Sequence, residues 1–62
     1  MTLQEAITIR GIWDGIETLE PDISTERLMV TTAQVASHEL GTYYDEADVA
    51  DALILTREKR KR

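Results

Sequence analysis

The chain has 62 residues, twelve acidic and seven basic, a formal net charge of −5 at pH 7, and no cysteine. This length predicts one small domain, 1–62, and the lack of cysteine excludes disulfides and thiolate metal sites. One histidine cannot form a zinc site without several carboxylates, and no apolar stretch approaches the ~20 residues of a membrane span. We therefore expect a cytoplasmic domain with no metal, no cofactor and no membrane contact.

The size of the chain also bears on its stability. A domain of this length buries only about 60% of the surface that its unfolded chain exposes, so its stability is marginal. Small domains usually gain reinforcement from disulfides, a metal or a second subunit. Because the first two are excluded or unsupported here, the sequence favours a homodimer or a larger protein partner.

Charge is distributed unevenly along the chain. Residues 57–62 hold five of the seven bases and one acid, whereas residues 1–56 hold eleven acids and two bases, a net charge of −9. A basic end of a helix complements the helix dipole, but it could also contact nucleic acid or an acidic protein surface. The candidates for such electrostatic contact in this basic C-terminal tail are Arg57, Lys59, Arg60, Lys61 and Arg62.

The first segment with helical periodicity covers about residues 3–20. Thr2 and Glu5 fit a capping box at its start, and Pro21 ends it, because a residue before proline resists the α conformation. Gly11 and Gly15 lie four apart on the face opposite the apolar one, where another backbone could approach. The apolar face contains Ala6, Ile9, Ile12, Trp13, Ile16 and Leu19.

The second segment covers about residues 24–40. Either Asp22 or Ser24 could cap it, and Gly41 suits the left-handed position after its last residue. Apolar residues cover so much of its circumference that we expect this middle helix to be the most buried of the three. The centre of its predicted apolar face contains Met29, Ala33, Ala36 and Leu40.

The third segment covers about residues 45–60, with Asp45 as a candidate N-cap. Of the two tyrosines before it, we expect one to pack over the junction with the second helix and the other to stay partly wet. The chain has no Asn-Gly or Asp-Gly hairpin turn, which argues against strands. The sequence therefore predicts an all-α, compact three-helix arrangement with short loops.

Several apolar residues project from the predicted helices toward polar neighbours or lie at the edges of apolar faces. Single exposed apolar residues are ordinary, but several together mark an interface. We therefore predict that the protein is non-enzymatic and regulatory, and that it acts by binding another protein or itself. The predicted protein-interaction residues are Ile7, Leu28, Val35 and Leu55.

Two alternative functions remain open. Residues 31–41 resemble the first helix and turn of a helix-turn-helix motif, which would make the protein a DNA-binding regulator. Alternatively, the acidic body could mimic nucleic acid and inhibit an enzyme that acts on nucleic acid. The acids Asp45, Glu46, Asp48 and Asp51, at the start of the third helix, disfavour the first alternative and would carry the second. They lack the spacing of a calcium loop.

The sequence predicts no catalytic residues. It contains no glycine-rich phosphate loop, and His38, its single histidine, lies on the polar side of the second segment. A chain of this size also has little room for a ligand cleft of ~300 Å³ or more within one subunit. We therefore expect no enzymatic activity.

Overall fold

The computed structural model describes the backbone of residues 1–60 and the side chains of residues 1–57. The fold consists of α1 (Leu3–Leu19), α2 (Thr25–Leu40) and α3 (Glu46–Arg60), with no strand in this described range. Each helix packs against the other two. The predicted all-α, three-helix arrangement is confirmed, and each helix begins and ends within one residue of the range expected from the sequence.

Each helix begins with a hydrogen-bonded cap that the sequence encodes locally. In α1, the Thr2 backbone N–H donates to Glu5 Oε1 at 2.7 Å, and the Glu5 N–H donates to Thr2 Oγ1 at 3.1 Å. Ser24, and not Asp22, is the residue that caps α2. Asp45 and Asp48 cap α3 reciprocally, each carboxylate accepting from the backbone N–H of the other at 3.0–3.1 Å. These bonds satisfy N–H groups that a helix start otherwise leaves without partners.

The core is assembled from small side chains. Four of the eight buried hydrophobic residues in the described chain are alanines, and Ile9 and Val49 are the largest hydrophobic side chains that are completely enclosed. Trp13 packs against this core but remains only half-buried. The buried hydrophobic residues are Ala6, Ile9, Leu28, Ala33, Ala36, Tyr44, Val49 and Ala52.

The three helices share this core unequally. Among the described residues, α2 supplies four buried side chains, the largest share, although α1 packs most extensively against the other two helices. On α2, Leu28 is buried, whereas Val30 and Val35 remain more than a third exposed. Contact between α2 and α3 is the least extensive of the three pairs, which leaves a groove between these helices.

Tyr44 connects the α2–α3 loop to the start of α1. Its hydroxyl donates to Glu5 Oε2 at 2.8 Å, and its backbone N–H donates to Ser37 Oγ at 2.8 Å. Tyr44 is buried and Tyr43 is 79% exposed. The sequence predicted that one of the two tyrosines would pack and that the other would stay in contact with water. Tyr44 therefore bonds to α1 through its side chain and to α2 through its backbone, just before α3 begins.

The link between Tyr44 and Glu5 makes stability depend on pH. The backbone N–H of Thr2, followed by the Tyr44 hydroxyl, holds the pKa of Glu5 below its ordinary value of 4.5. Because the fold favours the charged carboxylate, this stabilisation is complete above pH 4.5 and is lost as the pH falls through the lower pKa of the folded state. Conversely, the Glu5 carboxylate raises the pKa of Tyr44 above 10.0, so the neutral phenol is retained in the fold.

We expect Tyr44→Phe to lower the melting temperature at pH 7, because it removes the hydroxyl that donates to the Glu5 carboxylate. The difference from the wild type should narrow below pH 4.5, where Glu5 becomes protonated. Thermal unfolding followed by circular dichroism from pH 2.5 to pH 8 measures both effects. Tyr43→Phe is the matched control and should change nothing, since Tyr43 is exposed. A loss that is equal at every pH would contradict the role given to Glu5.

Two buried threonines provide an internal comparison of hydrogen bonding. The Thr56 hydroxyl donates to the Ala52 carbonyl oxygen at 2.8 Å and accepts from Arg10 Nη1 at 3.2 Å. Thr32 is completely buried, and its hydroxyl has no hydrogen-bond partner. A buried polar group without a partner costs about 1–3 kcal/mol relative to one that is satisfied.

The same substitution should therefore have opposite effects at these two positions. Thr32→Val, which keeps the shape and removes the unsatisfied hydroxyl, should raise the free energy of unfolding by about 1 kcal/mol. Thr56→Val should lower it by about 1–2 kcal/mol, because it leaves Arg10 without one acceptor. Urea unfolding of the two variants beside the wild type measures both changes. A destabilised Thr32→Val variant would show that the hydroxyl is satisfied in solution.

Candidate interaction surface

The described part of the chain exposes more large hydrophobic side chains than it buries. Ten of them are more than a third exposed, whereas the eight buried hydrophobic residues include four alanines. Isolated exposed residues need no explanation, but this distribution places the larger side chains outside and the smaller ones inside. The exposed set consists of Met1, Leu3, Ile7, Leu19, Val30, Val35, Leu40, Tyr43, Ile54 and Leu55.

Three of the four predicted interaction residues are available at this surface. Ile7, Val35 and Leu55 are 46%, 36% and 38% exposed. The prediction for Leu28 was wrong, since this residue is only 3% exposed and belongs to the interior. The buried face of α2 is rotated toward Leu28 relative to the expected one, and Leu40, the last residue of the helix, is exposed.

A groove open to solvent lies between α2 and the start of α3, and we call it the α2–α3 groove. It consists of two adjoining hollows, both of which are lined by Val30, Gln34 and Glu46. Both hollows are open to solvent and not enclosed cavities, so the groove suits a segment of another chain better than a small ligand. Its apolar lining comprises Met29, Val30, Ala33, Tyr43 and Tyr44.

The charged lining of the groove is mainly acidic. Glu26 and Glu46 line one hollow, Asp45 and Glu46 line the adjoining one, and the basic side chain that lines the groove is Arg27. His38 lies at one end. The sequence separates Glu26 from Asp45 by 19 positions, so periodicity alone gave no signal that these acids share one surface.

The four acids predicted as an electrostatic cluster have separate roles in the structure. Asp45 and Glu46 line the α2–α3 groove. Asp48 is half-buried and takes part in the cap of α3, whereas Asp51 is exposed and does not line the groove. The structure therefore brings two of the four residues to the groove.

Arg57 is the one predicted basic contact residue whose side chain is described, and it is exposed. It lines a small hollow with Arg10, Trp13, Leu53 and Ile54, near the end of α3. The side chains of the other four bases, Lys59, Arg60, Lys61 and Arg62, lie outside the described residues.

Within residues 1–57, no group of three or more His, Asp or Glu side chains is placed to hold a metal ion. No helix of the described chain is long and apolar enough to cross a membrane. Comparisons of the chain with protein-family models, curated proteins and solved structures gave no match. The function is therefore inferred from the surface itself.

The space around Gly11 and Gly15 shows whether another backbone of the described chain packs on this face of α1. Gly11 and Gly15 are exposed, and a Cβ atom added at either would meet no atom within 4 Å. The close approach that the sequence suggested is therefore not made by the described part of this chain. Gly41 differs, because its φ of +67° is a left-handed conformation that other residues adopt at a cost.

We expect Gly11→Ala and Gly15→Ala each to raise the free energy of unfolding by about 0.5–1 kcal/mol, since alanine favours the helix without a clash. Gly41→Ala should lower it by about 1–2 kcal/mol, because the left-handed conformation strains a residue with a Cβ atom. Urea unfolding at a fixed low protein concentration compares the three variants. A loss of stability in the first two would indicate that a second chain occupies this face of α1.

Proposed function

We propose that the protein is a non-enzymatic binding module that acts through contact with another protein, and that it forms a homodimer. A cytoplasmic location and a regulatory role belong to the same proposal. The observation that carries it is the distribution of apolar side chains, with an alanine-rich interior and ten larger hydrophobic residues exposed on the described surface.

The energetics of burial support association. Full burial of a Leu, Ile or Val side chain contributes about 1.5–3 kcal/mol relative to leaving it in water. Association costs roughly 4–15 kcal/mol in lost translational and rotational freedom, so an interface must cover several such side chains together. Ile7, Leu55 and Ile54 are among the candidates that a partner could cover, whereas the exposed polar faces offer no comparable gain.

The DNA-binding alternative receives less support from the geometry. The helix that would enter the major groove is α3, and its first turns carry Asp45, Glu46 and Asp48. Phosphates would repel these carboxylates, whereas proteins that bind DNA neutralise phosphates with Lys and Arg. A mobility shift of duplex DNA at low salt, with a steep dependence on salt, would favour this alternative over a protein partner.

Sedimentation equilibrium of the full chain from about 1 μM to 1 mM tests the homodimer. We expect a concentration-dependent dimer, and we expect Ile7→Asp and Leu55→Asp to raise its dissociation constant at least tenfold by placing a charge in the interface. The matched control is Thr25→Asp, which adds the same charge at an exposed polar position in the first turn of α2, where the helix dipole favours it.

Two results would contradict the proposal. A wild type that stays monomeric throughout this range would exclude the homodimer, and turnover of a substrate by the purified chain would exclude a purely binding role. Far-UV circular dichroism of each variant shows whether a lost dimer reflects the interface or a loss of helix. If the control weakens the dimer as strongly as the two apolar replacements, added charge and not apolar burial governs association.

A further inference from the structure

We propose that, in the homodimer, the basic C-terminal tail 57–62 of each copy lies in the α2–α3 groove of the other copy. This inference rests on the proposed homodimer and adds to it the surface that is used and the segment that occupies it. Such an exchange is reciprocal, so both contacts are identical and the pair closes with two-fold symmetry.

The groove has the chemistry to receive a basic segment. Glu26, Asp45 and Glu46 line it, opposed by Arg27 alone among its Arg and Lys side chains. Among residues 1–57, the structure contains one ion pair, between Arg10 and Asp14 on α1. The groove acids therefore lack a salt-bridge partner within the described chain, and bases from a second copy would supply one.

The segment that ends the chain has the complementary pattern. Ile54 is 56% exposed and precedes the tail by less than one helical turn. The tail itself holds five bases and one acid. An apolar side chain followed by bases matches a groove whose apolar lining contains Met29 and Val30 and whose charged lining is acidic. The apolar part is needed, because exposed ion pairs contribute only about 0–1 kcal/mol each.

The geometry of α3 carries the described end of the chain away from the groove of its own copy. Glu46 lines the groove at the first residue of α3, and the helix continues to Arg60. At 1.5 Å per residue, Arg60 lies about 21 Å along the helix axis from Glu46. The described end of α3 therefore lies far from the groove of its own copy, and we assign the occupant of the groove to a second copy.

A charge-swap experiment tests the exchange. In one variant, Glu26→Lys and Glu46→Lys make the groove basic, and in the other, Arg60→Glu and Lys61→Glu remove the positive charge of the tail. Each variant alone should dimerise at least tenfold more weakly than the wild type by sedimentation equilibrium. An equimolar mixture should dimerise more tightly than either variant alone, because the basic tail of the groove variant then faces the acidic groove of the tail variant, and the neutral tail is not repelled by the basic groove. Native mass spectrometry identifies the mixed dimer.

The matched control is a variant with Glu17→Lys and Glu20→Lys, which has the same charge change at exposed positions near the end of α1. It should dimerise as the wild type does, because its groove and its tail are unchanged. Circular dichroism confirms that each variant is helical. If the wild type dimerises but the groove and tail variants do not rescue each other, the exchange is excluded while the homodimer stands. A monomeric wild type excludes both.

Discussion

The small size of the side chains at the helix contacts determines how the rest of the molecule is arranged. Ala6 on α1, Ala33 and Ala36 on α2, and Ala52 on α3 all belong to one buried cluster. Alanines let helices pack near the short end of the usual 8–10 Å interaxial range, and little volume then remains between them. Only a few larger aliphatic side chains, Ile9, Leu28 and Val49, are buried in the described chain. The presence of the others on the surface is thus a consequence of close packing as well as the basis for binding.

A core of this kind provides limited apolar burial. Hydrogen bonds at the helix ends therefore contribute more to fixing where each helix begins and ends. The caps at Thr2, Ser24 and Asp45 set where each helix begins, and Gly41 ends α2 in the left-handed conformation. Tyr44 then joins the α2–α3 connection to Glu5. The carboxylate of Glu5 serves the cap of its own helix and this long-range contact together, which couples local structure to the tertiary fold.

The features that were predictable from the sequence are those encoded within a few residues. Caps, helix bounds and the left-handed Gly41 follow from neighbouring side chains. The burial of Leu28 was not predictable, because it depends on how α2 is rotated when it packs on α1. The meeting of Glu26 with Glu46 likewise requires the tertiary fold. The candidate site was therefore predicted only in part, as exposed apolar residues and two of the acids that line the groove.

Helix electrostatics account for only part of the charge distribution. Acids in the first turn of α3 and bases in its last turn complement the helix dipole, by about 0.3–1 kcal/mol for each favourable charge. That effect fades within one turn. It accounts for Glu26 and Glu46 separately, as first-turn acids of α2 and α3, but not for their lining one groove. The helix dipole also does not require five bases within six residues, because repulsion among the bases opposes any further stabilisation by the dipole. In the proposed exchange, the basic tail of one copy lies against the acidic groove of the other, so both sets of like charges gain neighbours of opposite charge.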